Sequence, residues 1–146
     1  IDFSKAGVRG SNPRSLIQKM YKKCTTECGV QDVNKTVKWY KNSLGFELVI
    51  SVPESGKYEW ALMKKDSVEI MFQTKKSLDG EIPYLKNIPV AGSIILYIEV
   101  DNIKKMYNGL REEIKIIKEL HKTFYGSEEF AISDCNGFVL LFSEKR

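Results

Sequence analysis

The residues able to do metal or nucleophilic chemistry are few. His121 is the only histidine, and the three cysteines are Cys24, Cys28 and Cys135. We interpret His121, at the edge of a late strand, as a surface or turn residue. Along a strand that rises about 3.3 Å per residue, Cys24 and Cys28 lie roughly 13 Å apart, beyond the roughly 7 Å limit for a disulfide. Cys24 and Cys28 are therefore interpreted as small core residues of a protein in a reducing compartment.

Three glutamates, Glu27, Glu69 and Glu99, stand within strand-like runs. A carboxylate buried without a partner is costly, so such a group stays solvated, pairs with a basic residue or awaits a cationic ligand. Glu99 ends its strand and can simply be solvated, and Glu27 can pair with a lysine on an adjacent strand. The sequence leaves these alternatives open.

The composition predicts one globular domain in 146 residues, with 42% hydrophobic and 11% aromatic content. The net charge of +4 comes from scattered lysines and arginines, which is typical of a solvated surface rather than a nucleic-acid interface. Apolar runs fall far short of the roughly 20 residues that span a bilayer. We expect a cytoplasmic protein with neither nucleic acid nor membrane as a partner.

The elements that must position these glutamates begin near Tyr21. A strand at Lys23–Val30 precedes a helix that Asp32 caps and Gly45 ends, with apolar residues at helical spacing between them. Three further strands follow, at Phe46–Pro53, Lys57–Lys64 and Ser67–Gln73. This order makes one βαβββ unit, and Lys75–Gly92, rich in proline and glycine, reads as a connector.

The same order of elements then repeats. We predict a strand at Ser93–Val100, a helix from about Asn102 to Leu110, and strands at Ile114–Leu120, Thr123–Ser133 and Phe138–Ser143. The two helix entrances superpose with an offset of 70 residues, from Val30 to Val100. We therefore expect two modules, about 21–74 and 92–146, within a single domain over residues 21–146. Residues 1–20 read as an extension outside the core, which can include residues introduced for expression.

Three segments together resemble the vicinal oxygen chelate superfamily, which contains glyoxalases, bleomycin resistance proteins and dioxygenases. The helix of residues 30–47, with Asp32, Trp39-Tyr40 and Leu44-Gly45-Phe46, is similar to the family's opening. Residues 125–144 resemble its closing hairpin, although Cys135 replaces the usual proline of the turn. Residues 68–73 stand where the fourth strand belongs. The resemblance implies an α+β fold of two tandem βαβββ modules, which form a curved mixed-sheet cleft with helices on the outer face.

In metal-dependent members of that superfamily, one ligand comes from each of four strands. The matching positions here are Thr25, Glu69, Ile95 and Leu141. Only Glu69 could readily hold a metal, and Ile95 and Leu141 offer no lone pair. We therefore expect no metal and no cofactor, and the resemblance favours the bleomycin-resistance branch.

Strand alternation predicts which side chains line the cleft, because residues of the same parity as the four positions share one face. That face carries Thr25, Gly29, Ser67, Gln73, Ile95, Val139 and Ser143 beside the candidates for binding. Trp60 would add a stacking surface, while Tyr125 and Phe130 would close the rim. Trp39, on the helix, reads as a packing or subunit-interface residue. The predicted ligand-binding residues are Glu27, Trp60, Glu69, Met71, Tyr97, Glu99, Tyr125 and Leu141.

Such a cleft suits a cationic, partly aromatic small molecule. The leading hypothesis is a metal-independent binding protein of the antibiotic-resistance kind, which sequesters its ligand as a homodimer with the cleft at the dimer interface. The alternative is an enzyme: a lyase, isomerase or oxygenase with a non-standard metal site, or a metal-free catalyst with Glu69 as general base. A third possibility is an interaction module whose cleft is filled by Trp60 and Tyr97.

Overall fold

The computed structural model describes residues 20–146, so the predicted extension lies outside the described residues except for Met20. The chain is α+β and consists of two tandem βαβββ modules, as predicted. A helix at Lys75–Glu81 that the sequence did not predict and a short 3-10 helix at Pro83–Leu85 lie between them. The elements are β1 (Thr26–Val30), α1 (Val33–Leu44), β2 (Glu47–Val52), β3 (Trp60–Lys65), β4 (Val68–Thr74), α2 (Lys75–Glu81), β5 (Ile95–Glu99), α3 (Ile103–Leu110), β6 (Ile116–Lys122), β7 (Ser127–Ser133) and β8 (Val139–Lys145).

Each module forms one mixed four-stranded sheet. The strand order is β1-β4-β3-β2 in the first sheet and β5-β8-β7-β6 in the second. The first strand of each module pairs in parallel with the last strand, and the other pairs are antiparallel. In each module the chain leaves the first strand through a crossover helix, α1 or α3, which leads to the strand at the opposite edge of the sheet. It returns beside the first strand only as the last strand of the module.

The two crossover helices begin and end where the sequence predicts. The Asp32 side chain accepts a hydrogen bond from the Lys35 backbone N–H, and Gly45 ends α1 in the left-handed region with φ 73°. Asn102, at the start of α3, has φ 55° and makes no side-chain cap. Its backbone N–H instead donates to the Glu144 carboxylate at 2.8 Å. A side chain of the final strand thus satisfies an otherwise free donor at this helix start.

One core serves both modules. It contains Val37 and Phe72 from the first module together with Ile103 and Phe142 from the second. The Tyr40 hydroxyl of α1 donates to Asp134 Oδ2 at 2.6 Å, in the turn between β7 and β8. In the same turn, the Asn136 amide donates to Thr36 Oγ1 at 3.0 Å. The modules therefore pair within the chain, a point that the sequence left open.

Several residues lie elsewhere than predicted. Of the two cysteines predicted in the core, Cys24 is exposed and only Cys28 is buried. Burial, with Asp134 and Glu27 nearby, raises the pKa of Cys28 to about 12. Phe130 is fully buried and stacks against Tyr107 and Phe142, so its assignment to the cleft rim is wrong. Its parity in β7 points it toward α3, away from the predicted cleft.

Candidate functional site

The faces of the two sheets that lie opposite α1 and α3, here called the open face, carry most of the predicted binding residues. On the first sheet the strand register aligns Glu27, Met71, Leu62 and Ile50 in one row across β1, β4, β3 and β2. The Glu27 side chain is exposed at the end of this row, and Ile50 is exposed at its other end. The row combines an apolar floor with one carboxylate.

Helix α2 covers Gly29 and Gln73 in the neighbouring row, whose third residue, Trp60, is half-buried. A Cβ atom added at Gly29 would lie 3.0 Å from Leu78 Cδ2, so a larger residue there would push α2 away. The Gln73 amide donates to Ser77 and to Glu81, both in α2, at 3.0 Å. This end of the open face is closed, and Gly29 and Gln73 are covered rather than free to line a cleft.

Glu69 forms an ion pair with Lys23 and has Lys64 at 4.0 Å on its other oxygen. The hydrogen bond from Lys23 lowers the pKa of Glu69, and burial opposes this only in part. A carboxylate held in its ionised form by a lysine is a weaker proton acceptor than a free one. This environment does not favour Glu69 as a general base.

The four positions that match the ligands of the metal-dependent members do not combine into a donor set for a metal. Thr25 directly precedes β1, Glu69 is on β4, and Ile95 and Leu141 are hydrocarbon side chains on the second sheet. Within residues 20–146 there is no cluster of three or more histidine, cysteine, aspartate or glutamate side chains able to hold an ion. One carboxylate that already pairs with Lys23 is a poor donor set for a divalent metal.

On the second sheet, the open face carries a carboxylate that the sequence did not single out. Glu129 lies on β7 and is only 2% exposed. Its Oε1 accepts a hydrogen bond from Tyr125 at 2.8 Å. Its Oε2 accepts from Ser143 at 2.9 Å, from Tyr97 at 3.1 Å and from Ser127 at 3.2 Å. Four hydroxyl groups thus converge on one side chain, here called the Glu129 cluster.

Glu129 is held in its ionised form. Burial by itself would raise the pKa of Glu129, but the hydrogen bonds from the two tyrosines and two serines outweigh it and bring the pKa below its ordinary value. The hydrogen bond that Tyr125 donates to Glu129 raises the pKa of Tyr125. No ion pair among residues 20–146 includes Glu129. Its charge is thus balanced by hydroxyl dipoles and not by a cation of the described chain.

The rings of Tyr97 and Tyr125 project from this cluster, with 49% and 59% of their surface exposed. Tyr97 stands directly opposite Leu141 in the strand register, so these two predicted binding residues are neighbours. Glu99 is in the adjacent row, where Lys145 pairs with it at 2.6 Å. The structure therefore brings together Tyr97, Tyr125 and Leu141, whereas Glu99 is already paired with Lys145.

The family of this chain can be read from its sequence as well as from its topology. Residues 25–142 match the family model of the Glyoxalase/Bleomycin resistance protein/Dioxygenase superfamily. The chain belongs to this superfamily. No curated protein matches the sequence. The match spans both modules and includes Glu129 with Tyr97, Tyr125 and Ser127 of its cluster, whereas Ser143 directly follows the matched residues.

Several solved structures have the same fold as this chain at low sequence identity. One is TioX from Micromonospora sp. ML1, with a TM-score of 0.65 and 15% identity over 86% of this chain and 97% of that one. TnmS3, an antibiotic binding protein from Streptomyces sp. CB03234, has a TM-score of 0.66 and 17% identity over 87% and 99%. A superfamily member from Sphaerobacter thermophilus DSM 20745 has a TM-score of 0.70 and 17% identity over 86% and 99%. At these identities the likeness concerns the fold.

Two cavities lie along the boundary between the superfamily modules. The smaller, of about 170 Å³, is lined by Glu69 and Tyr97 among others, so it joins the two halves of the predicted site. The larger, of about 980 Å³, lies between the end of α1, the β3–β4 turn and α3. Of the eight predicted ligand-binding residues, only Glu99 borders it. Lysines and acidic residues alternate around its rim, so it presents no single charge to a ligand.

Glu129 could have been found from the superfamily resemblance. It directly precedes Phe130 in the closing segment, and the hairpin that turns at Asp134 places Glu129 opposite Ser143. Of the adjacent Glu128 and Glu129, alternation requires one to face the helices and the other the open face.

Among the helices of residues 20–146, none is long and apolar enough to cross a membrane.

Proposed function

We propose that this chain is a metal-independent small-molecule binding protein, similar to bleomycin resistance proteins, that sequesters a cationic or aromatic ligand on its open face. The observation that carries the proposal is the combination of exposed apolar and aromatic side chains with carboxylates on the open face of the two sheets. Ile50, Ile95, Tyr97 and Tyr125 are all more than two-fifths exposed. Exposed apolar patches bounded by polar groups are typical of binding sites.

The family relation agrees with a binding role. TnmS3 is described as an antibiotic binding protein, and it shares this fold. The donor set at the metal positions and the lysine contact of Glu69 both argue against metal chemistry and general-base chemistry at those residues. A role in drug sequestration needs neither.

The proposal includes a homodimer whose binding clefts are completed across the interface. One open sheet face leaves Ile95 58% and Tyr97 49% exposed, which a second copy would cover. Within residues 20–146 the open face is closed at one end by α2 and remains open elsewhere. A partner face would turn this shallow surface into an enclosed site.

Calorimetric titration with bleomycin and a panel of other cationic antibiotics tests the binding role. We expect saturable binding by at least one compound, unchanged after treatment with a chelator. Elemental analysis of protein purified without chelator is the matched test for the enzymatic alternative. A stoichiometric transition metal that is lost in Glu69→Ala would contradict the proposal, as would no binding across the panel.

A further inference from the structure

The Glu129 cluster places a full negative charge directly behind two exposed aromatic rings. Each of the two tyrosine hydroxyls lies within hydrogen-bonding distance of the Glu129 carboxylate. The carboxylate itself is 2% exposed, so a ligand on the open face meets the rings of Tyr97 and Tyr125 and not the carboxylate oxygens. Any effect of Glu129 on a ligand must therefore act through the tyrosines.

A phenol that donates to a carboxylate becomes richer in electrons, because hydrogen bonds polarise the groups that they join. The faces of aromatic rings already attract cations through their quadrupole. A carboxylate at the hydroxyl end adds a Coulomb attraction, which falls slowly with distance where water is partly excluded. Both effects favour a positive charge over the rings and disfavour an anion.

Among residues 20–146, the lysine beside Tyr97 already has a carboxylate partner. Lys145 is on the same face but pairs with Glu99. His121 stands opposite Glu129 in the β6–β7 register, where its Nδ1 lies 2.8 Å from the Glu119 carbonyl oxygen. Of the ion pairs within residues 20–146, none neutralises Glu129. The site is therefore complementary to a positive charge supplied from outside.

We propose that Tyr97 and Tyr125, held and polarised by Glu129, form an aromatic subsite for an organic cation with a fixed charge on a flat ring system. The proposal rests on the binding function proposed above and names the ligand class for the second module. In this subsite the tyrosines contact the ligand, and Glu129 is a positioning residue that sets the orientation and electron density of their rings.

Matched fluorescent probes test this assignment. N-methylacridinium carries a fixed positive charge, whereas acridine has the same ring system without it. We expect the wild-type protein to bind the cation more tightly than acridine. Glu129→Gln keeps the shape and removes the charge, so it should weaken binding of the cation about tenfold and leave acridine nearly unchanged. Glu112→Gln, an equal charge change at an exposed loop residue, should change neither.

Two further measurements separate this role from a structural one. In a spectrophotometric titration the raised pKa of Tyr125 should return toward its ordinary value in Glu129→Gln. Should Glu129→Gln fail to fold, Tyr125→Leu removes an exposed ring and should lower affinity for the cation by a similar factor. Equal wild-type affinity for both probes, or equal losses for both in these variants, would refute the subsite and leave the binding function standing. A wild-type protein that binds neither probe contradicts the subsite, and the antibiotic panel then decides the binding function separately.

Discussion

Removing one hydroxyl group should show how strongly the two modules are joined. Tyr40 is fully buried, and its hydroxyl donates to Asp134 at 2.6 Å across the module boundary. A hydrogen bond to a charged group contributes about 1.5 to 3 kcal/mol. In Tyr40→Phe, Asp134 keeps its backbone donors at Asn136 and Phe138, so we expect the free energy of unfolding to fall by about 2 kcal/mol.

Urea unfolding of Tyr40→Phe, Asp134→Asn and the double variant measures this coupling directly. We expect the two losses to be far from additive, because both substitutions act on the same hydrogen bond. Tyr107→Phe is the control: its hydroxyl contacts Glu119, which is exposed, and the loss should be smaller. Additive losses, or a Tyr40→Phe variant as stable as wild type, would refute the claim that this bond joins the modules.

The same pair predicts a pH dependence with a definite sign. Burial raises the pKa of Asp134 above its ordinary value of 3.8, and the hydrogen bond from Tyr40 offsets this only in part. Folding therefore favours the protonated form, so this contribution to stability is present below pH 3.8 and is lost as the pH rises through the folded-state pKa. Relative to Asp134→Asn, wild type should lose stability across that interval.

Three other substitutions test the site and its surroundings. The pKa of Glu129 is lowered, so its contribution to stability is present above the ordinary pKa of 4.5 and is lost as the pH falls below that value. In urea unfolding, the stabilities of Glu129→Gln and wild type should therefore converge in acid. A stability difference that does not change with pH would contradict the assignment. Leu78→Ala should cost about 2 kcal/mol in thermal unfolding, because Leu78 is the buried contact of α2, whereas Ile82→Ala, at an exposed position, should cost little. If the open face is the dimer interface, Ile95→Lys should give a monomer in sedimentation while Ile82→Lys stays dimeric, and a dimeric Ile95→Lys would exclude that interface.

Local signals in the sequence were sufficient for the fold. The cap at Asp32 and the left-handed Gly45 fix α1 within a few residues, and both rules act over a single turn. Strand ends were less accurate: β1 begins at Thr26 and not at Lys23, because pairing with β4 begins only at Ile70. Helix α2 was missed because it depends on Leu78 packing over Gly29, a contact between distant segments.

The site was predictable only in part, for the same reason. Alternation placed Tyr97 and Leu141 on one face, and the structure puts them side by side. It could not show that Tyr97 and Tyr125 share one carboxylate, because Tyr97 lies 32 residues from Glu129 in the sequence. Nor could it show that Lys23 pairs with Glu69 across 46 residues. Parity assigns a side chain to a face, whereas its partners depend on how strands assemble.

Helix α2 and the Glu129 cluster occupy equivalent places in the two modules, as the offset of 70 residues shows. Gly29 and Gln73 pair in the first module as Glu99 and Ser143 pair in the second, 70 residues later. In the first module α2 covers this pair, and in the second Ser143 instead donates to Glu129. The two modules therefore differ chemically at this place: helix α2 covers the first, and the buried carboxylate of Glu129 lies on the second. An elongated ligand with one charged end would therefore bind in a single direction.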